Sequence, residues 1–254
     1  MSVKIERRGR VEIVTIDRPE ARNAINRETA EGLEAAWDAA EADDGCWAMI
    51  LTGAGDQAFS AGMDLKAFIT GELPITSKGG FGGTANRPFK KPLIAAVNGR
   101  ALAGGLELML SCDLVVAAEH AEFGIPEVRR GLVAAAGAMF RLPQRVPLSL
   151  ALEMAMTGEP ISAQRALELN LINRVVPGEK VVDEAVALAE KICENAPVAV
   201  QVSKRLMKAA AYLSGEEDAW NQTNSAMQEV MATEDVMEGP KAFAEKRKPE
   251  WKGR

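Results

Sequence analysis

The chain has 254 residues, of which 47% are hydrophobic and 26% charged, a composition typical of a folded protein that excludes a largely disordered one. A net charge of −6 at pH 7 argues against nucleic-acid binding, which needs a basic surface. Cys46, Cys112 and Cys193 are widely spaced and His120 is the only histidine, so we expect no metal site and no disulfide framework.

The compartment is predicted from the same features. Cysteines without a disulfide pattern indicate a reducing, intracellular setting, for which we expect the cytoplasm. The N-terminal segment is charged and lacks the apolar stretch of a signal peptide. No apolar run approaches the roughly 20 residues that span a bilayer, so no membrane partner is expected.

The first third of the chain predicts alternating strands and helices. Apolar and polar residues alternate over Val11–Ile16, which indicates a strand. Asn26 is predicted to cap a helix over residues 27–41, whose apolar residues recur at helical spacing. A short apolar run at residues 47–52 predicts another strand. Glycine and proline then dominate residues 69–90, which predicts a loop, either a lid or binding loop or a surface excursion without a role.

The rest of the chain first continues this alternation and then becomes helical. Strands are predicted at Leu93–Val97 and Leu114–Ala118, on either side of a helix at Gly104–Ser111, and this order favours an α/β fold with buried strands. A last short strand is predicted at Val175 and Val176. The later helices are predicted over residues 148–156, from the Ser162 cap to Asn170, and over 179–194, 197–213, 216–233 and 236–247.

Glu107 is the first candidate catalytic residue. Gly104 and Gly105 open a predicted helix, and the first N–H groups of a helix lack partners inside it and carry partial positive charge. Such groups can bind a carbonyl oxygen that becomes negative. Glu107 lies in the first turn among apolar residues, where burial should raise its pKa toward a value suited to proton transfer. The alternative is that Glu107 only compensates the helix dipole.

Two further segments could contribute to the same site. Pro126 is predicted to start a helix, with Glu127 next to it, and the alternative to a catalytic Glu127 is dipole compensation with Arg129 or Arg130 as ion partners. Residues 58–65 lead from the turn after a strand into a predicted helix and could supply a second main-chain donor to one oxygen, forming an oxyanion hole. Asp64 there is interpreted as a helix-start acid. The sequence contains no GxSxG elbow and no P-loop pattern.

Ordered motifs along nearly the whole chain resemble the enoyl-CoA hydratase/isomerase (crotonase) superfamily. The resemblance implies a crotonase-like spiral of ββα repeats, with a core at residues 1–195 and a C-terminal helical region at 196–254 that drives assembly into a trimer or a dimer of trimers. The motifs that carry it are RP with NAIN in residues 18–26, AFSAGMDL at 58–65, KPLIAAVNGRALAGGLELMLSCDL at 91–114, FGIPEVRRGL at 123–132, MTGEPISAQRALELNLINRVV at 156–176 and GPKAFAEKRKPEW at 239–251.

The family resemblance also implies a substrate and a set of site residues. Relatives bind acyl-CoA thioesters and hold the thioester oxygen on two main-chain N–H groups, which correspond here to Met63 and Gly104. No cofactor is expected, because coenzyme A is part of the substrate. The residues expected to contact the CoA thioester are Ala61, Gly62, Asp64, Leu65, Lys66 and Gly105, with Phe243 and Lys246 contributed by the C-terminal region.

Two glutamates distinguish hydratases within the family, and both are present as Glu107 and Glu127. By similarity they hold one water, Glu107 activates its oxygen for attack at Cβ, and Glu127 protonates Cα. The expected activity is that of a hydro-lyase, an enoyl-CoA hydratase of fatty acid or related acyl-CoA metabolism. The alternatives are carnitinyl-CoA dehydration, enoyl-CoA isomerisation, or a non-catalytic scaffold that binds CoA or RNA.

The chain departs from the family pattern at two places. Residues 132–142 replace a common Pro-Gly-x-Gly-Gly-Thr pattern, and only Gly137, Arg141 and Leu142 fit it. Because this segment lies near the acyl pocket in relatives, the acyl group of the substrate is left open; the variant also resembles the branch with carnitinyl-CoA dehydratases. Met63 stands where a small residue is usual, which predicts a narrower pocket around an intact main-chain donor.

Overall fold

The structure is a computed structural model that describes residues 2–213 and 215–254. Its strands are β1 (Val3–Arg8), β2 (Val11–Ile16), β3 (Ala48–Gly53), β4 (Ala58–Ser60), β5 (Ile75–Thr76), β6 (Gly80–Phe81), β7 (Leu93–Val97), β8 (Arg100–Leu102), β9 (Leu114–Ala118), β10 (Glu122–Gly124), β11 (Ile161–Ser162) and β12 (Arg174–Val176). Its helices are α1 (Arg27–Ala42), α2 (Leu65–Ile69), α3 (Gly104–Ser111), α4 (Ala138–Arg141), α5 (Leu148–Thr157), α6 (Ala163–Glu168), α7 (Val181–Cys193), α8 (Pro197–Ala210), α9 (Glu216–Met231) and α10 (Asp235–Ala244).

Helix α1 forms where its cap and apolar spacing predict. The Asn26 side chain accepts a hydrogen bond from the Thr29 amide at 2.9 Å, which satisfies one of the free N–H groups of the first turn. Leu33 and Trp37, one turn apart, are fully buried against the sheet. The spacing of its apolar residues therefore places one face of α1 in the core.

The chain passes repeatedly from one sheet to the other. The larger sheet has the order β1-β2-β3-β7-β9-β12 and the smaller one β11-β10-β8-β4. A strand of the larger sheet, a strand of the smaller sheet and a helix follow one another as β3-β4-α2 and again as β7-β8-α3. Strands β3 and β7 are buried along their whole length, as expected for parallel strands covered on both faces. The expected α/β architecture is confirmed.

Several local features differ from the sequence prediction, which did not include the strands β1, β4, β8 and β10. Strand β3 begins one residue later than predicted, at Ala48. The two-residue strand β11 was not predicted, and it pairs antiparallel with β10. Residues 69–90, predicted as a loop, contain the hairpin of β5 and β6.

The C-terminal helices lie largely on the surface of the single chain. Only a few residues of α8, α9 and α10 are buried, namely Pro197, Val202, Ala226, Asp235 and Ala242. Assembly through this region, and a division of the chain at residue 195, stay predictions. None of the helices in residues 2–213 and 215–254 is long and apolar enough to cross a membrane.

Candidate active site

The segment that carries Met63 is held by a parallel bridge to Ile25. The Ile25 amide donates to the Gly62 carbonyl at 2.8 Å, and the Asp64 amide donates to the Ile25 carbonyl at 2.9 Å. In a parallel ladder the residue between two such bonded neighbours directs its own N–H and C=O to the opposite side. The N–H of Met63 therefore points away from Ile25.

Asp64 fixes the far end of this segment. Its carboxylate caps α2 by accepting from the amides of Lys66 and Ala67, and it pairs with Arg18 at 2.9 Å. Burial alone would raise the pKa of Asp64, but the hydrogen bonds from Arg18 and the two amides outweigh it and hold this pKa below its ordinary value. The helix-start role predicted for the Asp64 side chain is confirmed.

The first turn of α3 packs tightly against the Met63 segment. A Cβ atom on Gly62, which has φ +87°, would lie 2.7 Å from the Gly104 nitrogen, and one on Gly105 would lie 2.0 Å from the Ser60 carbonyl oxygen. Only glycine permits these two segments of the backbone to approach so closely. The helix begins at Gly104, so the Gly104 N–H has no partner inside the helix.

The residue before this helix has an unusual conformation. Ala103 has φ 53° and ψ −129°, a region that side chains with a Cβ rarely adopt. The Ala103 amide donates to the Gly124 carbonyl at 2.9 Å, and its carbonyl accepts from the Glu107 amide at 3.2 Å. These two bonds hold the turn that sets the direction of the Gly104 N–H.

Phe81 of the β5-β6 hairpin covers the same turn and was not recognised from the sequence. A Cβ atom on Gly104 would lie 2.5 Å from the Phe81 ring. The hairpin is anchored to α1 by Glu34, whose carboxylate accepts from the Thr76 hydroxyl at 2.5 Å and from the Gly79 amide at 2.8 Å. The glycine-rich sequence of the hairpin gave no signal of these long-range contacts.

Glu107 projects from the first turn of α3 and is only 3% exposed. Its Oε1 accepts hydrogen bonds from the main-chain amides of Ala136 at 2.7 Å and Ala138 at 3.1 Å. Burial raises the pKa of Glu107, while the amides of Ala138 and Ala136 and the charge of Arg141 oppose this rise. The predicted direction of the shift is confirmed, and the two amide partners are new.

Glu127 lies in a 3₁₀ turn at Pro126–Arg130, rather than in an α-helix. Its Oε2 is buried and has no hydrogen-bond partner in the described parts of the chain. Burial raises the pKa of Glu127 to about 7, and the negative charge of Glu107 contributes to the rise. The carboxyl groups of Glu127 and Glu107 are thus near enough to interact.

The two arginines predicted as alternative ion partners of Glu127, Arg129 and Arg130, do not offset the effect of burial on its pKa. Arg129 pairs instead with Glu159 and donates a further hydrogen bond to the Thr157 carbonyl, so its side chain is directed toward the end of α5. The charge of Arg130 lowers the pKa of Glu127, but less than burial raises it. The prediction of Arg129 as the alternative ion partner of Glu127 is therefore wrong.

The other residues predicted to contact a CoA thioester lie in two places. Ala61 is half-buried beside Met63, while Leu65 and Lys66 are exposed at the start of α2. Phe243 is 87% exposed on α10 and is followed by Lys246, which has φ 54°. Their contacts with CoA stay predictions.

Comparisons with known proteins identify the family to which the chain belongs. Residues 6–254 match the sequence pattern of the enoyl-CoA hydratase/isomerase family. A carnitinyl-CoA dehydratase from Proteus mirabilis is 40% identical, and the alignment covers 100% of this chain and 99% of the relative.

Solved structures extend the comparison to the fold. An enoyl-CoA hydratase from Mycobacterium marinum has a TM-score of 0.96 at 45% identity, and a carnitinyl-CoA hydratase from Mycobacterium avium has a TM-score of 0.80 at 47% identity. Both alignments cover 100% of this chain and 99% of the other. The crotonase-like fold is confirmed, and the chain belongs to the enoyl-CoA hydratase/isomerase family.

Proposed function

We propose that this protein is a hydro-lyase that adds water reversibly across the 2,3 double bond of a 2-enoyl-CoA to give a 3-hydroxyacyl-CoA. The observation that carries the proposal is the pair of buried glutamates. Glu107 has a carboxylate held by two amides, and the neighbouring Glu127 has a pKa of about 7 and an oxygen that has no hydrogen-bond partner among the described residues. Two acids with different surroundings can take the roles of base and acid in one reaction.

The thioester carbonyl would be held by the N–H groups of Met63 and Gly104. The ladder with Ile25 directs the Met63 N–H away from its own strand partner, and Gly62 lies against the Gly104 nitrogen. Two main-chain donors aimed at one oxygen stabilise the negative charge that develops when a nucleophile attacks the conjugated double bond. Removal of one such donor typically costs about 10²–10³ in rate.

Glu107 would act as the base and Glu127 as the acid. The oxygen of a water molecule bonds to Cβ while one of its protons moves to Glu107, and the electron pair of the double bond moves to the thioester oxygen as an enolate. Glu127 then transfers its proton to Cα, and exchange with solvent restores both carboxyl groups. Because burial raises the pKa of Glu127 to about 7, this residue can hold a proton at a neutral working pH.

The CoA portion of the substrate would lie along the segment from Ala61 to Lys66 and against Gly105, and the reaction needs no cofactor besides the substrate itself. Phe243 and Lys246 would complete this site from the C-terminal region. Because Phe243 is 87% exposed in the single chain, we place it at a subunit boundary of a trimer or a dimer of trimers.

Carnitinyl-CoA dehydration is the second candidate. It is favoured by the Proteus mirabilis relative, which is named for that activity, and by the Mycobacterium avium structure. The acid–base chemistry is the same, and the substrates differ only in a trimethylammonium group on the acyl chain. Enoyl-CoA isomerisation moves a proton between carbons and would leave one of the two glutamates without a role.

A substrate panel tests the proposal and separates the candidates. The purified protein is mixed with crotonyl-CoA, longer 2-enoyl-CoA esters, a 3-enoyl-CoA and carnitinyl-CoA, and the absorbance of the conjugated thioester is followed. Loss of absorbance with 2-enoyl esters supports hydration, and a gain with carnitinyl-CoA alone moves the assignment to the second candidate. Turnover of the 3-enoyl ester alone, or of none of them, would overturn the hydro-lyase assignment.

A further inference from the structure

Arg141 is a half-buried cation whose side chain donates hydrogen bonds to carbonyl groups. Its Nη2 donates to the Ala85 carbonyl at 2.7 Å and its Nη1 to the Ala136 carbonyl at 3.4 Å. Burial lowers the pKa of Arg141, and the nearby charge of Glu107 opposes that shift. Within the described residues this half-buried guanidinium has no carboxylate partner, and desolvation of a cation without such a partner is costly.

Ala136 connects Arg141 to the proposed base. Its carbonyl accepts from Arg141, while its amide donates to Oε1 of Glu107. Gly137 follows with φ +116°, and a Cβ atom there would lie 2.5 Å from Nη1 of Arg141. This glycine lets the chain turn so that the next amide, that of Ala138, also reaches Oε1.

We propose that Arg141 is a positioning residue for the hydro-lyase reaction, which clamps the carbonyls of Ala85 and Ala136 and thereby holds two amides on Oε1 of Glu107. The inference rests on the function proposed above. With Oε1 occupied, Oε2 is the oxygen that can take the proton of the attacking water. Through these two hydrogen bonds Arg141 also connects residues 136–138 to Ala85, in the segment that follows Phe81.

The charges around Glu107 give this role a measurable signature. Arg141 from α4 and Glu127 from the 3₁₀ turn are the charged groups that interact with Glu107, and Tyr212 and Cys112 face Arg141 from other elements. Loss of Arg141 would remove a cation and release the amides of Ala138 and Ala136. These are the groups that oppose the effect of burial on the pKa of Glu107. The pKa of Glu107 would then rise.

Arg145 provides a matched control four residues away. It is also a half-buried arginine that donates hydrogen bonds to carbonyls, those of Leu110 at 3.0 Å and Cys112 at 2.6 Å. These carbonyls lie at the far end of α3, away from Glu107. Loss of Arg145 should cost stability as loss of Arg141 does, without releasing Oε1 of Glu107.

The first test compares the pH dependence of kcat/KM for the wild type, Arg141→Lys, Arg141→Met and Arg145→Met, with thermal unfolding as a check on folding. For Arg141→Met we expect kcat to fall about 10- to 100-fold with little change in KM, and the acidic limb to move upward by about one pH unit. Arg141→Lys should have a kcat and an acidic limb between those of the wild type and Arg141→Met. Arg145→Met should keep the acidic limb of the wild type. A folded Arg141→Met variant with the wild-type limb, or an equal shift in Arg145→Met, would overturn the inference.

A second measurement does not depend on turnover. Amide hydrogen exchange at Ala136 and Ala138 should be at least about tenfold faster in Arg141→Met than in Arg145→Met, because only the first variant loses the clamp. If the wild type turns over none of the thioesters, the proposed function fails. Hydrogen exchange at these two amides still decides whether Arg141 holds them on Oε1 of Glu107. Equal exchange in the two variants would contradict the clamp itself.

Discussion

Glu107 lies close enough to Glu127 for its negative charge to raise the pKa of Glu127, but the two carboxyl groups differ in their hydrogen bonds. Oε1 of Glu107 accepts from the amides of Ala136 and Ala138, whereas Oε2 of Glu127 is buried and has no hydrogen-bond partner in the part of the chain that the structure describes. Donors stabilise a carboxylate and their absence favours the neutral acid. The difference in surroundings therefore separates a residue suited to accept a proton from one suited to donate it.

The pH dependence of the reaction follows from this difference. Glu127 must be protonated to act as the acid, and its pKa is raised to about 7 by burial and by the charge of Glu107. We expect kcat/KM for hydration to fall as the pH rises through about 7 and to fall again on the acidic side, where Glu107 becomes protonated. A pH profile of kcat/KM measures both limbs. A rate that stays flat from pH 6 to 9 would be inconsistent with Glu127 as the acid.

The same shift predicts how stability changes with pH. The pKa of Glu127 in the folded state lies above that of the unfolded chain, so between the two values the folded state holds a proton that the unfolded state releases. Stability is then lost as the pH rises toward about 7. Glu127→Gln mimics the neutral acid and should be more stable than the wild type at pH 8, with a smaller difference at pH 5.

Thermal unfolding of Glu127→Gln and the wild type at both pH values measures this effect. Glu153→Gln, on the exposed side of α5, reports the effect of the amide substitution by itself. If Glu127→Gln were less stable than the wild type at pH 8, the carboxylate would have a stabilising partner and the interpretation of its surroundings would be wrong.

Gly62 and Gly71 form a matched pair for the proposed oxyanion hole. They have nearly the same φ, +87° and +86°, but a Cβ on Gly62 would lie 2.7 Å from the Gly104 nitrogen, whereas one on Gly71 would meet no atom of the described residues within 4 Å. Substitution by alanine imposes a similar backbone strain at both positions. We expect Gly62→Ala to lose about 10²–10³ in kcat and Gly71→Ala to keep near wild-type kcat. Equal kcat values in two folded variants would argue against a role for the Gly104 amide.

Much of the fold could be predicted because the signals are local. The cap of α1 at Asn26 and its apolar spacing act within a few residues, and both hold in the structure. The strand β11 and the β5-β6 hairpin were missed because they consist of two-residue strands held by distant contacts. The hairpin is fixed by Glu34 of α1, more than 40 positions earlier in the chain, and no pattern within the hairpin indicates this.

The site was predicted in part for the same reason. Acidic side chains carry their chemistry in the sequence, so Glu107 and Glu127 could be recognised as candidates. The donors to Glu107 are the main-chain amides of two alanines. Nearly every residue has such an amide, so the sequence does not indicate which ones act as donors. The packing of Phe81 on Gly104 depends on the path of residues 74–85, which the glycine-rich sequence did not reveal.

The central claim is that Glu107 and Glu127 act together on one water. It is tested most directly by kcat for hydration in Glu107→Gln, Glu127→Gln and the double variant, measured on the 2-enoyl-CoA that the wild type turns over best. Each single variant should lose about 10²–10⁴ in kcat, and the double variant little more, because residues that act as a unit have non-additive effects. A folded single variant that retains wild-type kcat would contradict the account.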